Sequence, residues 1–237
     1  MNIALVGYGK MGKLIHQLAP EFGIEVGPKL DEHNNANGEG FTRENFQGVD
    51  AAIEFSTPHT VVGNIQRLAE LGVNTVVGTT GWAKDFDRVK QTVQAANIGL
   101  VWSPNFSIGV QVFFRLVAEA SRLLKDHPEY GAWAWEIHHD TKADAPSGTL
   151  LKLVDNMKGA GYTRNIDVSS NRAGRHPGTH DIGFDSPADT LTLRHAARSR
   201  EGFARGALKA AQWINGKRGM YEFGETLFNQ GVAHENV

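Results

Sequence analysis

The 237-residue sequence contains no cysteine, and this absence excludes several kinds of chemistry. A chain without cysteine has no disulfide framework, no thiolate nucleophile and no cysteine-based zinc or iron–sulfur site. Long apolar runs are also missing, since no segment approaches the roughly 20 residues that a membrane span needs. The N-terminus, MNIALVGYGKMG, lacks the basic residues and longer apolar stretch of a signal peptide. We therefore expect a cytoplasmic protein that does not bind membranes.

An excess of charge of one sign is absent as well. Lys and Arg total 24, Asp and Glu total 26, and the formal net charge is -2. Such a chain has no overall attraction for nucleic acid, so we expect no nucleic-acid partner, although a local basic pocket is compatible with this sum. Proline is also sparse, with 8 residues against 27 glycines. Many glycines without many prolines indicate tight turns and close backbone contacts rather than disorder.

The first hundred residues alternate short apolar segments with amphipathic helical ones. The pattern predicts strands over 2–6, 24–30, 49–55, 74–77 and 98–103, and helices over 10–19, 60–71 and 84–96. Alternation at this spacing is typical of a parallel sheet with helices on both faces. Right-handed crossovers place all the strand carboxyl ends at one edge, and ligands bind along that edge. We therefore expect an α/β, Rossmann-like first domain.

The pattern changes after Pro104. It predicts helices over 108–124, 147–157 and 202–215, and strands over 132–138, 167–172, 179–185 and 190–196. Few helices separate the later strands, as in the open mixed or antiparallel sheet of an α+β domain. Two domains of different architecture follow, with one hinge near 105–109 and a second crossover near 199–202 if the last helix returns to the first domain.

A glycine motif follows the first strand directly and opens the first helix. It reads Gly7-Tyr8-Gly9-Lys10-Met11-Gly12, which is a GxGxxG sequence in the context that a dinucleotide site requires. Gly7 permits the tight turn, Gly9 lets a pyrophosphate approach the backbone, and Gly12 lets the helix pack on the strand. The helix N-terminus then offers N–H groups to the phosphates. The alternative interpretation is an ordinary strand-to-helix turn.

An acidic residue stands where the adenine ribose should bind. Asp31 lies 19 residues after Gly12, just past the second predicted strand, with Glu32 as its nearest competitor. A carboxylate here disfavours a 2′-phosphate, while Lys10 and Lys13 offset that effect. We expect NADH, with NADPH as an alternative; a solvated loop carboxylate is the other interpretation of Asp31.

Two further loops follow strands at the same predicted edge. They are Phe55-Ser56-Thr57-Pro58 and Gly78-Thr79-Thr80-Gly81. We expect the nicotinamide half of the cofactor to run along them. Alternatively, both are simple turns in which Thr57 or Thr80 caps a helix.

The densest cluster of reactive residues covers 136–149 and reads EIHHDTKADAPSGT. Successive strand residues point to opposite faces, so His138 and His139 should have different roles. A histidine suits proton transfer near neutral pH, and Lys142 adds a fixed positive charge. The N–H groups of Ser147, Gly148 and Thr149 at a helix start would hold a carboxylate. The cluster predicts a site where a small carboxylate receives a hydride and exchanges a proton; a structural histidine pair is the alternative.

The same segment resembles the signature of the dihydrodipicolinate reductases, also called 4-hydroxy-tetrahydrodipicolinate reductases, E-x-H-H-x-x-K-x-D-A-P-S-G-T. Shorter segments at 78–81, 104–109, 172–174, 178–180, 193–195 and 203–207 fall in family order. Many family members have two residues between the first two glycines of the nucleotide motif, where this chain has only Tyr8.

The resemblance implies NADH- or NADPH-dependent reduction of a cyclic dicarboxylate in the diaminopimelate and lysine pathway by a homotetramer. It implies a dinucleotide-binding domain of residues 1–108 and 201–237, and a substrate-binding and oligomerisation domain of residues 109–200. His138 would be the acid–base and Lys142 would complete the relay, with substrate contacts from His139, Ser147, Gly148 and Thr149. The cofactor residues expected from the loops and the resemblance together are Gly7, Tyr8, Gly9, Lys10, Met11, Gly12, Asp31, Ser56, Gly78, Thr79, Thr80, Ser103, Pro104, Asn105 and Phe106.

Other functions remain open on the sequence alone. One is another two-domain NAD(P)-dependent dehydrogenase, acting on an amino-acid semialdehyde or on aspartate, and a second is a non-catalytic NAD-sensing protein. A metal site is not expected, because Pro177 and Gly178 forbid a regular helix between His176 and His180. We interpret those histidines, and His195, as polar packing or substrate-edge contacts.

Overall fold

The structure is a computed structural model that describes residues 1–228. It divides into two compact units, one formed by residues 1–106 and 203–228, the other by residues 107–202. Residues 229–237 of the expected dinucleotide-binding domain lie outside the described residues. Within 1–228, no helix is long and apolar enough to cross a membrane.

Ten strands and seven α-helices occur in the described chain. The strands are β1 (Asn2–Val6), β2 (Glu25–Leu30), β3 (Ala51–Glu54), β4 (Asn74–Val77), β5 (Gly99–Trp102), β6 (Gly131–His138), β7 (Ile166–Arg172), β8 (Thr179–Asp185), β9 (Thr190–Ala196) and β10 (Gly219–Glu222). The helices are α1 (Lys10–Leu18), α2 (Val61–Glu70), α3 (Phe86–Ala95), α4 (Ile108–Leu124), α5 (Gly148–Gly159), α6 (Glu201–Ile214) and α7 (Phe223–Phe228).

The first unit is built on a six-stranded sheet in the order β10-β5-β4-β3-β1-β2. Every neighbouring pair is parallel. The central strands β3 and β4 are buried along their whole length, as expected for strands that are covered on both faces of a parallel sheet. Their buried residues include the polar Glu54, Asn74 and Thr75. The expected Rossmann-like sheet is confirmed, and the loops after β1, β3, β4 and β5 all leave its carboxyl edge.

Some elements of the first unit differ from the sequence-based expectation. The expected strand over 49–55 is only β3, because the Val49 N–H bonds to Phe46 in a turn. The expected helix over 84–96 is a short 3-10 turn, Ala83–Asp85, followed by α3. The edge strand β10 and α7 were not predicted at all. Every β10 residue is half-buried, so this four-residue edge strand carries little hydrophobic pattern.

The second unit carries a four-stranded mixed sheet in the order β7-β6-β8-β9. The β6–β7 pair is parallel, whereas β6–β8 and β8–β9 are antiparallel, so the expected open mixed sheet is confirmed. Helices α4 and α5 cover one face, and their apolar side chains form a common core with that face. Its fully buried members include Val117, Leu150, Leu153, Met157, Tyr162, Ile182 and Phe184.

Candidate active site

Strand β6 carries the residues around which the site in the second unit is built. Burial alternates along it, so that Ala132, Ala134, Glu136 and His138 face the core. The two alanines lie in the apolar core of α4 and α5. The two ionisable residues follow towards the end of the same strand face. The period of the strand therefore buries a carboxylate and an imidazole side by side.

The Glu136 carboxylate is fully buried and accepts hydrogen bonds from three neighbouring elements. Oε1 accepts from the Ser147 N–H at 2.8 Å, from Ser170 Oγ at 3.0 Å and from Arg172 Nη2 at 2.9 Å. Oε2 accepts from the Ser147 hydroxyl and lies 3.3 Å from His180 Nε2. Burial alone would raise the pKa of Glu136, but hydrogen bonds from His180, Ser147 and Arg172 hold it well below its usual range. Glu136 is therefore an ionised anchor at neutral pH.

The His138 ring lies against this anchor. Its Nδ1 is 3.5 Å from Glu136 Oε2 and takes no hydrogen bond within the described part of the chain. Burial lowers the pKa of His138 to about 4. The negative charge of Glu136 raises this pKa, but the charges of His180, Lys142 and Arg172 lower it together with burial. A Cβ on Gly178 would lie 2.9 Å from Nε2, so glycine is needed at this approach. In this state the imidazole is neutral at pH 7.

The loop after β6 carries His139 and Lys142 of the predicted site. His139 is half-buried, and its Nδ1 lies 2.7 Å from Thr141 Oγ1, so the two histidines have different surroundings. The Lys142 ammonium donates to Asp144 Oδ1 at 2.6 Å. Lys142 thus already binds a carboxylate of this chain.

Helix α5 begins next to Glu136. Ser147 is its N-cap, and the Ser147 hydroxyl accepts from the Leu150 N–H at 3.2 Å. Ser147 was expected to offer its N–H to a bound carboxylate, but that N–H donates to Glu136 instead. A Cβ on Gly148 would have no neighbour within 4 Å, so the chain leaves open space beside the first helical residue. The prediction of a carboxylate site at this helix start therefore depends on Gly148 and Thr149.

Three potential metal ligands lie close together in this site. One such atom from each of Glu136, His138 and His180 lies within 4.8 Å of the other two. A Glu/His₂ set of this kind is found in metal sites. Here, however, the carboxylate already accepts from Ser147, Ser170 and the Arg172 cation. We interpret the cluster as a hydrogen-bonded proton network. From the sequence, His180 was expected only as polar packing or a substrate-edge contact, and no role was expected for Glu136, Ser170 or Arg172. Their convergence depends on the strand order β7-β6-β8.

The glycine loop of the first unit has the features of a dinucleotide cradle. Gly7 has a φ of 93°, and a Cβ there would lie 2.1 Å from the Phe55 carbonyl oxygen. A Cβ on Gly12 would lie 2.5 Å from the Gly7 oxygen, whereas one on Gly9 would meet nothing within 4 Å. Gly7 and Gly12 are therefore needed for packing, and Gly9 leaves its backbone open to a ligand. The Tyr8 hydroxyl is 2.6 Å from His16 Nδ1 on α1.

Asp31 lies directly after β2. Its Oδ1 accepts from the His33 N–H at 2.9 Å and from the Asn34 N–H at 3.2 Å. The carboxylate therefore fixes the turn that follows β2 through one of its two oxygens, while Glu32 is exposed.

Glu54 is a buried acidic residue beside the loops after β3 and β4, and it was not among the residues predicted from the sequence. Glu54 ends β3 with no exposed surface, accepts from the Ser56 hydroxyl, and accepts from Asn64 Nδ2 at 3.1 Å. The Ser56 N–H donates to Thr79 Oγ1 at 2.8 Å, which joins the loop after β3 to the loop after β4. Burial raises the pKa of Glu54, and these hydrogen bonds oppose it. The signal that could have identified Glu54 in the sequence is an acidic residue at the end of an otherwise apolar strand.

An apolar pocket opens beside the loop after β4. Its lining includes Thr79, Thr80, Trp82, Phe86, Trp102, Ser103 and Pro104. Ser103 Oγ donates to the Asn105 carbonyl at 2.9 Å and so fixes the loop after β5. The pocket thus brings together four of the expected cofactor residues, Thr79, Thr80, Ser103 and Pro104, whereas Gly78, Asn105 and Phe106 are not part of its lining.

The lowered pKa of His138 predicts how stability depends on pH. Between pH 6.5 and about 4 the unfolded chain binds a proton at this residue and the folded chain does not, so stability falls as pH decreases through this range. Burial lowers the pKa of His195 in the same direction, whereas Glu136 acts only below its ordinary value of 4.5. We expect His138→Gln to flatten the curve of melting temperature against pH above 4.5. Equal slopes for both proteins in thermal melts would contradict this.

Solved structures share this architecture. A dipicolinate-bound dihydrodipicolinate reductase from Paenisporosarcina sp. matches 95% of this chain and 98% of its own with a TM-score of 0.77, at 21% identity. An amine dehydrogenase from Mycobacterium smegmatis matches 94% of this chain and 95% of its own with a TM-score of 0.65, at 9% identity. At these identities the likeness supports the fold alone.

Sequence relatives carry the comparison further. A 4-hydroxy-tetrahydrodipicolinate reductase from Christiangramia forsetii is 32% identical over 96% of this chain and 98% of its own length. One from Anaeromyxobacter sp. is 38% identical over 76% of this chain and 74% of its own. The sequence models of the dihydrodipicolinate reductase N-terminus and C-terminus match residues 1–106 and 109–227. The chain therefore belongs to the dihydrodipicolinate reductase family, whose members use a nicotinamide cofactor.

Proposed function

We propose that this chain reduces 4-hydroxy-tetrahydrodipicolinate to tetrahydrodipicolinate with NADH or NADPH, in diaminopimelate and lysine biosynthesis. The observation that carries the proposal is the neutral, buried His138, which lies against an ionised Glu136 beside the cationic Lys142 loop. A reductase needs a proton carrier next to an anion-binding loop, and a protein that only senses NAD has no use for one. Relatives of almost the full length of this chain carry the same activity in their names.

The carboxyl edge of the first unit is the proposed cofactor site. The open backbone at Gly9 and the N-terminus of α1 fit a pyrophosphate, and the loops joined through Ser56 and Thr79 fit the nicotinamide half. When bound, the nicotinamide supplies the hydride. The proposed contacts are Gly7, Tyr8, Gly9, Lys10, Met11, Gly12, Asp31, Ser56, Gly78, Thr79, Thr80, Ser103, Pro104, Asn105 and Phe106.

The second unit supplies charge and the proton. The substrate loses its hydroxyl group as water and gains one hydride and one proton. Hydride addition to a conjugated imine builds negative charge, which Lys142 and the start of α5 would stabilise while they hold a carboxylate. His139, Gly148 and Thr149 are the remaining proposed substrate contacts.

His138 is the proposed proton donor, acting through Nε2, because Nδ1 faces Glu136. The free enzyme holds this imidazole neutral, since burial lowers its pKa to about 4. A dicarboxylate adds two negative charges to the site and so raises the pKa of the imidazole. Binding of the substrate would thereby load the proton that the reaction consumes, while Glu136 keeps the ring in place.

The decisive experiment is a coupled assay with purified protein. The product of dihydrodipicolinate synthase is supplied together with NADH or NADPH, and absorbance of the reduced nicotinamide is followed. We expect consumption that depends on both the synthase product and this protein. Absence of oxidation above background would contradict the proposal, and turnover of aspartate or of an amino-acid semialdehyde instead would indicate a different dehydrogenase.

The assembly is part of the same proposal. We expect a cytoplasmic homotetramer formed through the outer face of the β7-β6-β8-β9 sheet. Trp133 and Trp135 lie on that face, opposite the α4 and α5 core, and both are only half-buried in the single chain. Light scattering on the purified protein tests the expected tetramer.

Asp31→Ala should alter cofactor choice. Loss of a carboxylate that accepts from the ribose hydroxyls should weaken NADH binding by about tenfold, with little effect on NADPH. Glu32→Ala is the matched control, because it removes an exposed carboxylate from the same turn. Fluorescence titration gives both dissociation constants, and an unchanged NADH-to-NADPH ratio would remove Asp31 from the ribose role.

A further inference from the structure

The cation expected to hold the substrate's carboxylate is paired with a carboxylate of this chain. Lys142 Nζ donates to Asp144 Oδ1 at 2.6 Å. Partial burial by itself raises the pKa of Asp144, but the hydrogen bond and the positive charge of Lys142 hold that pKa below its usual range. The ammonium of the loop is therefore paired with an internal anion.

The Asp144 side chain is able to leave this position without unfolding the loop. Its main-chain carbonyl accepts from Arg172, which also binds the buried Glu136, so the backbone at residue 144 is anchored independently of the carboxylate. The Asp144 side chain is 55% exposed, whereas Lys142 is 25% exposed. Rotation about the side-chain bonds would move the carboxylate into solvent and leave Lys142 and Gly148 in place.

We propose that Asp144 is a specificity-determining residue that occupies the substrate-carboxylate site as an internal anion until the dicarboxylate displaces it. The inference rests on the proposed function, because it assigns the displacing ligand to the same site. A simple anion makes contacts similar to those of Asp144 and gains little by exchange. A dicarboxylate held also through its second carboxylate displaces Asp144 at a small cost, because an exposed ion pair is weak. Asp144 thus excludes sulfate, phosphate and monocarboxylates from a cationic site.

Asp144→Asn removes the internal anion with little change in shape. We expect dipicolinate, measured by calorimetry on the intact protein, to bind about two- to fivefold more tightly, which is the range of an exposed ion pair. We also expect sulfate to compete with dipicolinate more strongly in this variant. Asp144→Glu restores a carboxylate at the same position and should return both values towards those of the unchanged protein.

Asp140→Asn is the matched control for net charge. Asp140 is exposed in the same loop, and its carboxylate takes no ion pair within residues 1–228. If both variants tighten dipicolinate equally, the effect is general electrostatics and the proposal fails. It also fails if Asp144→Asn weakens dipicolinate, because Asp144 would then be orienting Lys142 for the substrate.

The outcomes separate this inference from the proposed function. Dipicolinate binding that is equal in Asp144→Asn and the unchanged protein, with normal turnover in the coupled assay, would overturn the role of Asp144 alone. A protein that neither turns over the substrate nor binds dipicolinate, yet gains sulfate affinity in Asp144→Asn, would overturn the proposed function and leave the internal anion supported. Circular dichroism melts establish that each variant is folded before its binding is compared.

Discussion

Replacing His138 by glutamine should lower kcat by about 10²- to 10⁴-fold, the range associated with loss of a general acid or base. Glutamine fills a similar volume and can hydrogen-bond, but it cannot carry a proton between donor and substrate at neutral pH. The loss should appear at saturating substrate, because the dicarboxylate is held by Lys142 and the start of α5 rather than by the imidazole. NADH affinity should stay within twofold, since the glycine loop belongs to the other unit.

The controls for His138→Gln separate proton transfer from charge and from general damage. His127→Gln changes an exposed histidine in the loop after α4 and should leave kcat unchanged. Lys142→Ala should reduce kcat and also raise KM, because it removes the cation that holds the carboxylate. His139→Gln should act mainly on KM. Steady-state kinetics and NADH fluorescence titration measure these quantities. An equal loss of cofactor affinity in His138→Gln would contradict the role of His138 as a proton donor.

Regular elements could be read from the sequence where one strong period determines them. The expected ranges for α4, β8 and β9, which are each seven residues long or more, agree with the observed ones at both ends. The glycine loop could also be located, since the positions of Gly7 and Gly12 are steric requirements of a strand-to-helix turn. Short edge elements such as β10 could not, because four half-buried residues carry no period.

The polar partners of the site depend on which strands are neighbours. Glu136 pairs with Ser170 on β7 and with His180 on β8, and this register brings both side chains to one carboxylate. Nothing local to residues 170 or 180 indicates that pairing. The signature identified His138 and Lys142, but it did not show that Ser147 binds Glu136 or that Lys142 binds Asp144. In both contacts a group that was expected to bind the substrate binds a carboxylate of the protein instead. Such contacts can be seen only in the three-dimensional structure.

Replacing Glu136 by alanine should have the largest effect on stability of any single change in the second unit. Removal of the carboxylate leaves the Arg172 cation, which is 15% exposed, without its buried partner. It also removes the carboxylate that accepts from the Ser147 hydroxyl and lies beside His180. Breaking a buried ion pair on one side costs about 3–5 kcal/mol in the free energy of unfolding. For a chain of this size that corresponds to a decrease of about 6–20 °C in melting temperature. Glu136→Gln should cost less, because its amide oxygen still accepts from the Ser147 N–H.

A double variant distinguishes the charge of Glu136 from its packing. Combining Glu136→Gln with Arg172→Met removes both charges, so the melting temperature should recover part of the loss caused by Glu136→Gln alone. Asp181→Asn is the control, since Asp181 is a buried carboxylate of the same sheet whose partner, Arg194, is 63% exposed. It should cost less stability and leave dipicolinate affinity unchanged, whereas Glu136→Gln should weaken dipicolinate by loosening the start of α5. Additive losses in the double variant would show that Glu136 and Arg172 do not act as a pair.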